Sequence, residues 1–387
     1  MDTPFVYDRY VIDRNFIGRK TDCNTLRNLL SGKEDVTIYE PPKSGKMSII
    51  QQALFNMRIS GLKFTVSEIN VYNIREMNRF LTRFGSALIR TVSSTPDEYS
   101  DMVSRLLEGT HFIFDRERFA LCDEVVSLNW DADADDMLAM MRLPQKIAQE
   151  KKTQIFVIIE EFQNLMMIPG YETLFKALET VLSEKDRSAE FCGTYIITGS
   201  LLNAMKYIFE EKKYFYRMTE HLPLQPVDEK EIIEHIVKGF LTSGKVIERE
   251  LAAGAVNLFR SNMWYLNHFI SICDSLSKGY INEGVLMEAL KIIISIHEPR
   301  FFSMTNSLTD HQMSLMKAIL DGETRFSAAD VIEKYALNSS ANVRRVKDAL
   351  KKKEIITFND KDEPVVLDPL FEYWLRKNYF EMDPARK

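Results

Sequence analysis

The spacing of apolar residues changes period several times along the chain, and each change marks an expected element. Val36 to Tyr39 is a short run rich in β-branched residues that predicts a buried strand, and Ile50, Ala53, Leu54 and Met57 then recur at helical spacing over 47–59. Alternation from Lys63 to Val71 predicts a second strand, and Phe80, Leu81, Phe84, Leu88 and Ile89 predict a helix over 76–90. From Gln154 to Ile159 the chain is apolar almost without alternation, as in a strand covered on both faces of a parallel sheet. Phe191 to Thr198 predicts a further strand, followed by a helix over 201–211. Ser93 to Asp136 holds no steady period and reads as an irregular insertion. Its acidic run, Asp131 to Asp136, lacks the glycine and glutamate spacing of a calcium loop, so a solvated helix N-terminus is the expectation.

Downstream, Asp228 to His297 gives successive helices broken at Gly244 and near Ser261 and Gly279, with Pro299 expected to close the segment. Ile232, Ile233, Ile236 and Phe240 form one apolar stripe, and Leu251, Ala255, Leu258 and Phe259 another. The methionine and aromatic run Met263 to Phe269 reads as core. Thr309 to Leu320, Ser327 to Tyr335 and Ser340 to Lys353 predict three helices, and 355–358 with 364–367 predict a hairpin turning at Asn359 to Asp362. That is the order of a winged helix-turn-helix. The third helix carries Arg344, Arg345, Lys347, Lys351, Lys352 and Lys353, enough charge to lie on DNA phosphates. Asp348, Glu354, Asp360, Asp362 and Glu363 bring the segment near neutrality, so a protein partner stays open beside DNA.

Composition narrows the class. The chain has 387 residues, 45% hydrophobic and 27% charged, which suits a soluble protein of two or three domains. A net charge of -6 argues against a nucleic-acid-coating surface, while leaving room for a local basic face. No apolar run approaches the ~20 residues of a membrane span, and Met1-Asp2-Thr3-Pro4 lacks a basic region followed by an apolar one; a cytoplasmic protein without a membrane partner is expected. Cys23, Cys122, Cys192 and Cys273 are widely spaced, which fits reduced, mostly buried thiols.

The chemistry concentrates at Ile38-Tyr39-Glu40-Pro41-Pro42-Lys43-Ser44-Gly45-Lys46-Met47-Ser48, between the first strand and its helix. This is a phosphate-binding P-loop pattern, in which backbone N–H groups surround a phosphate, a lysine neutralises it and a hydroxyl holds Mg²⁺. Pro41, Pro42, Lys43, Ser44, Gly45, Lys46, Met47 and Ser48 are therefore the expected nucleotide-binding residues. Glu40 stands at the first glycine and Met47 at the hydroxyl, leaving Ser48 as the nearby oxygen. At the end of the apolar 154–159 strand, Glu160 is the expected Mg²⁺ partner and Glu161 the group that polarises an attacking water. Ser200 ends the next strand as a candidate γ-phosphate sensor and helix cap. Arg217 is either an arginine finger or half of a surface ion pair.

Taken in order, Phe16-Ile17-Gly18-Arg19-Lys20 with Leu26 and Leu29-Leu30, the P-loop, Val157 to Gln163, Thr198-Gly199-Ser200 and Tyr216-Arg217-Met218-Thr219 resemble the archaeal-type P-loop ATPases of the STAND branch of the AAA+ lineage. Ser261 to Leu266 is similar to that family's lid motif, with Met263 at its proline, and Asp368 to Leu375 to its C-terminal segment. Glu40, Met47, Glu160 and Met263 depart from the pattern. The resemblance implies an α/β fold: a P-loop NTPase core with a five-stranded parallel sheet, an α-helical lid and a C-terminal winged helix-turn-helix. The expected domains are 1–226 with an insertion near 93–136, 227–300 as lid and 308–387 as winged helix. Two functions follow. One is an ATP- and Mg²⁺-binding switch with slow hydrolysis, alone or as an oligomer. The other is a DNA- or protein-binding regulatory scaffold, contacting its partner through Arg344, Arg345, Lys347 and Lys351, with little or no ATPase activity.

Overall fold

Val36–Tyr39 (β1), Phe64–Asn70 (β2), Gln154–Glu160 (β5), Gly193–Gly199 (β6) and Glu220–His221 (β7) form one sheet in the order β2-β5-β6-β1-β7, every pairing parallel. The computed structural model describes residues 4–359 and 361–382. All residues of β1 and β6 are buried, as is β5 from Ile155 to Ile159, so the unbroken apolar runs reflect a sheet covered on both faces. Helices α1 (Lys20–Ser31), α3 (Met77–Arg90), α6 (Ala134–Lys151) and α7 (Tyr171–Glu184) belong with this sheet in a compact unit made of Lys20–Glu40 and Gln52–Leu224. Inside it, Asp35 and Lys185 form a buried ion pair at 2.8 Å, and the desolvation of Asp35 leaves its carboxyl above the usual carboxylate range.

The stretch expected to be irregular is ordered. It contains α4 (Pro96–Leu106), the antiparallel pair β3 (Phe112–Ile113) and β4 (Ser127–Leu128), and α5 (Arg116–Cys122). Thr95 and Glu98 form a capping box at the start of α4, and Asp115 caps α5. β3, β4 and α5 are too short to impose a period, whereas α4 buries Tyr99, Met102, Val103 and Leu106 at helical spacing; the start signals of both helices are in the sequence. The acidic run begins α6: Asp133 is the N-cap and forms a box with Asp136. Solvation was the wrong expectation for Asp136, which is buried and accepts from His111 N, His111 Nδ1 and Asp133 N. His111, Asp133 and Asp136 lie close enough to hold a cation, but these bonds already occupy both Asp136 oxygens. In the same unit, α8 (Leu202–Lys206) runs into a π turn at Tyr207–Glu211.

The second compact unit joins the described part of Met1–Arg19, Pro41–Gln51 and Gln225–Lys387. It contains the first turns of α2 (Lys46–Ile59), then α9 (Glu229–Thr242), α10 (Arg249–Leu258), α11 (Met263–Leu276) and α12 (Glu283–Asn306), with a small parallel ladder of β8 (Val246–Ile247) and β9 (Tyr280–Ile281). Asn262 caps α11 through the N–H groups of Trp264 and Tyr265, which gives the helix a start signal although Met263 replaces proline. Next come α13 (Asp310–Leu320), α14 (Ala329–Lys334), α15 (Ser340–Lys352), the antiparallel hairpin of β10 (Ile356–Phe358) and β11 (Pro364–Val366), and α16 (Pro369–Trp374). Asp360, expected from the sequence to lie in the hairpin turn, is outside the described residues, as are 1–3 and 383–387.

Pro299 does not close the helical segment. It lies inside α12, which continues to Asn306. An interior proline costs about 3 kcal/mol. The following turn offsets this: Phe301 is fully buried against Phe371 and Trp374, with ring centroids at 5.5 and 5.6 Å, and Trp374 Nε1 donates to Glu298 at 3.0 Å. A continuous core runs from Phe5 through Phe240, Phe259 and Phe269 to Phe301 and Trp374. Phe5 fits beside Gly239, where a Cβ would come within 2.3 Å of its ring. Among the described residues, no helix is long and apolar enough to cross a membrane.

Candidate functional site

After β1 the chain turns through 40–45 and enters α2 at Lys46. The left-handed backbone of this loop falls at Lys43 (φ 64°) and Gly45 (φ 94°), not at Glu40. Glu40 therefore needs no glycine's freedom, and its carboxylate accepts from Leu224 N–H at 3.2 Å. Gly45 does need it, and a Cβ there would also come within 3.1 Å of Arg19 Nη1. Arg19 braces the loop, donating through Nη1 to the Ser44 carbonyl at 2.7 Å and through Nε to the Gln225 carbonyl at 2.9 Å.

Lys46 is buried, and its ammonium reaches back across the loop to the Pro41 carbonyl at 3.0 Å and Ser44 Oγ at 3.5 Å. With Ile49 N donating to Gly45 O at 3.1 Å, the N–H groups of the preceding helical turn stand at the loop with the ammonium. Backbone donors, a positive-φ glycine and a lysine resting on a carbonyl and a hydroxyl oxygen fit a phosphate chain, which offers that lysine better acceptors. Ser48 Oγ accepts from Val11 N–H at 3.1 Å, and Met47 contributes no oxygen. Ser48 and Glu160 are oxygen donors that suit Mg²⁺ in kind. Lys43 leans away onto α11, with Nζ 3.0 Å from the Trp264 ring centroid. Desolvation at the ring and the nearby Arg300 lower its pKa to about 8.

In the other unit, Glu160 ends β5 and its carbonyl accepts from Val71 N at 3.0 Å. Glu161 follows in a left-handed conformation, φ 59° and ψ 39°, a strained state for a residue with a side chain. Ser200 Oγ donates to its Oε2 at 2.6 Å, and Gln163 Nε2 donates to the same oxygen at 2.7 Å. Ser200 does not cap the next helix: the N-cap is Leu201, without a side-chain bond, because the Ser200 hydroxyl is directed to Glu161. Arg217 is exposed, with its guanidinium 5.1 Å from the Tyr216 ring centroid, and makes no ion pair among the described residues.

On α15, Arg344 and Arg345 are exposed while Val343, Val346 and Leu350 are buried. Lys347 turns to the wing, 4.3 Å from the Phe358 ring centroid and 3.9 Å from Asp362. Lys351 is half-buried. The expected residues thus divide: Pro41 to Ser48 lie with the N-terminal segment and the helical region, whereas Glu160, Glu161, Ser200 and Arg217 lie at the sheet. Sequence reasoning assigned no role to Arg19, Gln163 or Trp264. Arg19 and Gln163 were visible only as members of longer motifs, and Trp264 as a member of the Ser261–Leu266 motif and of an apolar run.

Residues 299–377 match a family described as a probable winged helix domain. A Walker-type ATPase of Pyrococcus abyssi superposes with a TM-score of 0.66 at 15% identity, over 96% of this chain and 99% of that one. The ORC2 protein of Aeropyrum pernix, solved as ADPNP-ADP complexes, superposes with a TM-score of 0.55 at 14% identity, over 92% of this chain and 93% of that one. No curated protein matches the chain by sequence. At these identities the likeness is one of fold: an α/β core with a parallel sheet, as in these archaeal proteins, followed by a C-terminal winged helix domain.

Proposed function

We propose that the chain binds ATP or ADP through 41–48, with Mg²⁺, and acts as a nucleotide-dependent switch of the STAND branch of the AAA+ lineage, hydrolysing ATP slowly. The support is the loop itself, where the Lys46 ammonium rests on the Pro41 carbonyl at the start of α2 beside Gly45. In the switch, Lys46 binds the terminal phosphates and Glu161 takes the proton of the attacking water. Ser48 and Glu160 would hold Mg²⁺, which would supply charge neutralisation. Arg217, exposed and without an ion pair among the described residues, serves as the arginine that stabilises transition-state charge, in its own site or in that of a second copy. Residues 1–226 act as the nucleotide domain, 227–300 as lid and 308–387 as winged helix, in a cytoplasmic protein whose four cysteines are unpaired.

A regulatory scaffold with little turnover is the second reading. It is favoured by Met47, which has no oxygen, and by Ser48, whose hydroxyl already accepts a backbone N–H. Arg344 and Arg345 would then carry the contact to DNA or protein. Nucleotide titration with and without Mg²⁺, read with phosphate release from the same preparation, separates the two readings. Lys46→Ala is expected to weaken binding roughly 10- to 100-fold, the loss of one or two charge-assisted bonds. Because Lys46 is buried and bonded, the variant also loses about 1 kcal/mol of stability, which urea unfolding measures. Unchanged affinity in Lys46→Ala rejects the site. Tight binding without phosphate release selects the scaffold.

A further inference from the structure

Glu161 is held more completely than a strand-end carboxylate requires. Its backbone carbonyl accepts from Asn164 N at 2.9 Å and Asn164 Nδ2 at 3.1 Å, while Ser200 Oγ and Gln163 Nε2 converge on a single carboxylate oxygen, Oε2. Gln163 is 3% exposed, and its Oε1 is buried with no hydrogen-bond partner among the described residues. That oxygen packs toward the chain at Gly199, where a Cβ would lie 2.6 Å from it and 2.4 Å from Met205. A buried acceptor without a donor is unfavourable, and an apolar side chain of equal length would avoid it. The retained amide therefore has its use on the other side, as an N–H donor to Glu161.

We infer that Gln163 is a positioning residue which, with Ser200, fixes the Glu161 carboxylate so that Oε2 is fully engaged and Oε1 faces the reacting water. This rests on the reading of Glu161 as the general base for ATP hydrolysis. In that step a water proton passes to Oε1 as the water oxygen bonds the γ-phosphorus. The bond from that phosphorus to the bridging oxygen breaks, its electron pair stays on the β-phosphate of ADP, and inorganic phosphate is released. A carboxylate free to rotate would offer the proton acceptor in the right place only part of the time, which lowers turnover without touching nucleotide affinity.

The test compares wild type, Gln163→Met, Ser200→Ala, the double variant and Glu161→Gln for kcat at saturating ATP and Mg²⁺, ATP affinity and thermal midpoint. Gln163→Met is expected to lower kcat about 10- to 100-fold, to leave affinity within about twofold and, because it removes an unpaired buried oxygen, not to lower the midpoint. Ser200→Ala should act in the same direction. The double variant should fall short of the product of the two effects, since both donors serve one oxygen. Glu161→Gln sets the floor. If it is inactive while Gln163→Met turns over like wild type or faster, the positioning role is overturned and the base stands. If Glu161→Gln hydrolyses ATP normally, or wild type shows no turnover, both fail. A Gln163→Met variant that loses kcat only in proportion to lost folding also overturns the positioning role.

Discussion

Met47 and Ser48 divide between them what one hydroxyl residue does in the standard loop pattern. Met47 has no oxygen, and the Ser48 oxygen already accepts from Val11. Hence Met47→Thr, which adds an oxygen at the standard position, is expected to tighten Mg²⁺-dependent ATP binding several-fold, on the order of 1 kcal/mol for one added ligand of this kind. A magnesium titration at fixed ATP checks it, and coincident curves for variant and wild type would reject it. At this scale the sequence was most legible where backbone geometry dictates residue type. Gly45 has a positive φ and was recognised by the loop pattern, and Lys46 by its place beside it. Glu40 looked like a damaged glycine only because the pattern is written for loops that need one there. The direction of Lys43 was not legible, because the neighbour that draws its ammonium, Trp264, is remote in sequence.

Helices and strands with a long apolar period were predicted close to their observed bounds: 47–59 became Lys46–Ile59, and 76–90 became Met77–Arg90. The miss at Pro299 turns on contacts far along the chain. α12 survives Pro299 because Phe301 and Glu298 meet Trp374. The joint between α11, α12 and α16 turns on Asp368. Its Oδ1 accepts from Leu370 N and Phe371 N at 3.0 Å, capping α16, while its Oδ2 accepts from Tyr265 Oη at 2.8 Å and Arg300 at 2.5 Å. Burial and the Asp368 charge together push the Tyr265 hydroxyl far above its usual range. Asp368→Ala removes a helix cap and leaves Arg300 and Tyr265 without their shared acceptor, a loss of roughly 2–4 kcal/mol. Asp368→Asn keeps the cap and should lose about half as much. Urea midpoints of the two variants measure the difference, and equal midpoints would mean that the cap carries nothing.

At the largest scale, the continuous core from Phe5 to Trp374 spans one compact unit, so protonation of its histidines acts on the stability of that whole unit. His297 on α12 is held to about 4 by burial, then by Arg300 on its own helix, Lys43 from the loop after β1 and His268 from α11, with Asp368 opposing them. Its Nε2 and the Nδ1 of His268 are buried without a hydrogen-bond partner among the described residues, so at those nitrogens no acceptor offsets the burial of the charged form. His268 and His235 are lowered as well, both chiefly by burial. Because an unfolded histidine titrates near 6.5, the unfolded chain binds protons that the folded chain refuses between about pH 6.5 and pH 4. Stability is therefore complete above that window and falls as pH drops through it. The slope is at most about 1.4 kcal/mol per pH unit for each histidine and smaller for His297, which is only partly buried. Thermal midpoints at pH 7.5, 6 and 5 should decline for wild type and decline less for His297→Gln, whose amide does not titrate. Parallel declines in the two proteins would show that His297 is not the group responsible. A midpoint independent of pH down to 5 would show that the core takes up these charges without cost, contrary to the burial of His235, His268 and His297.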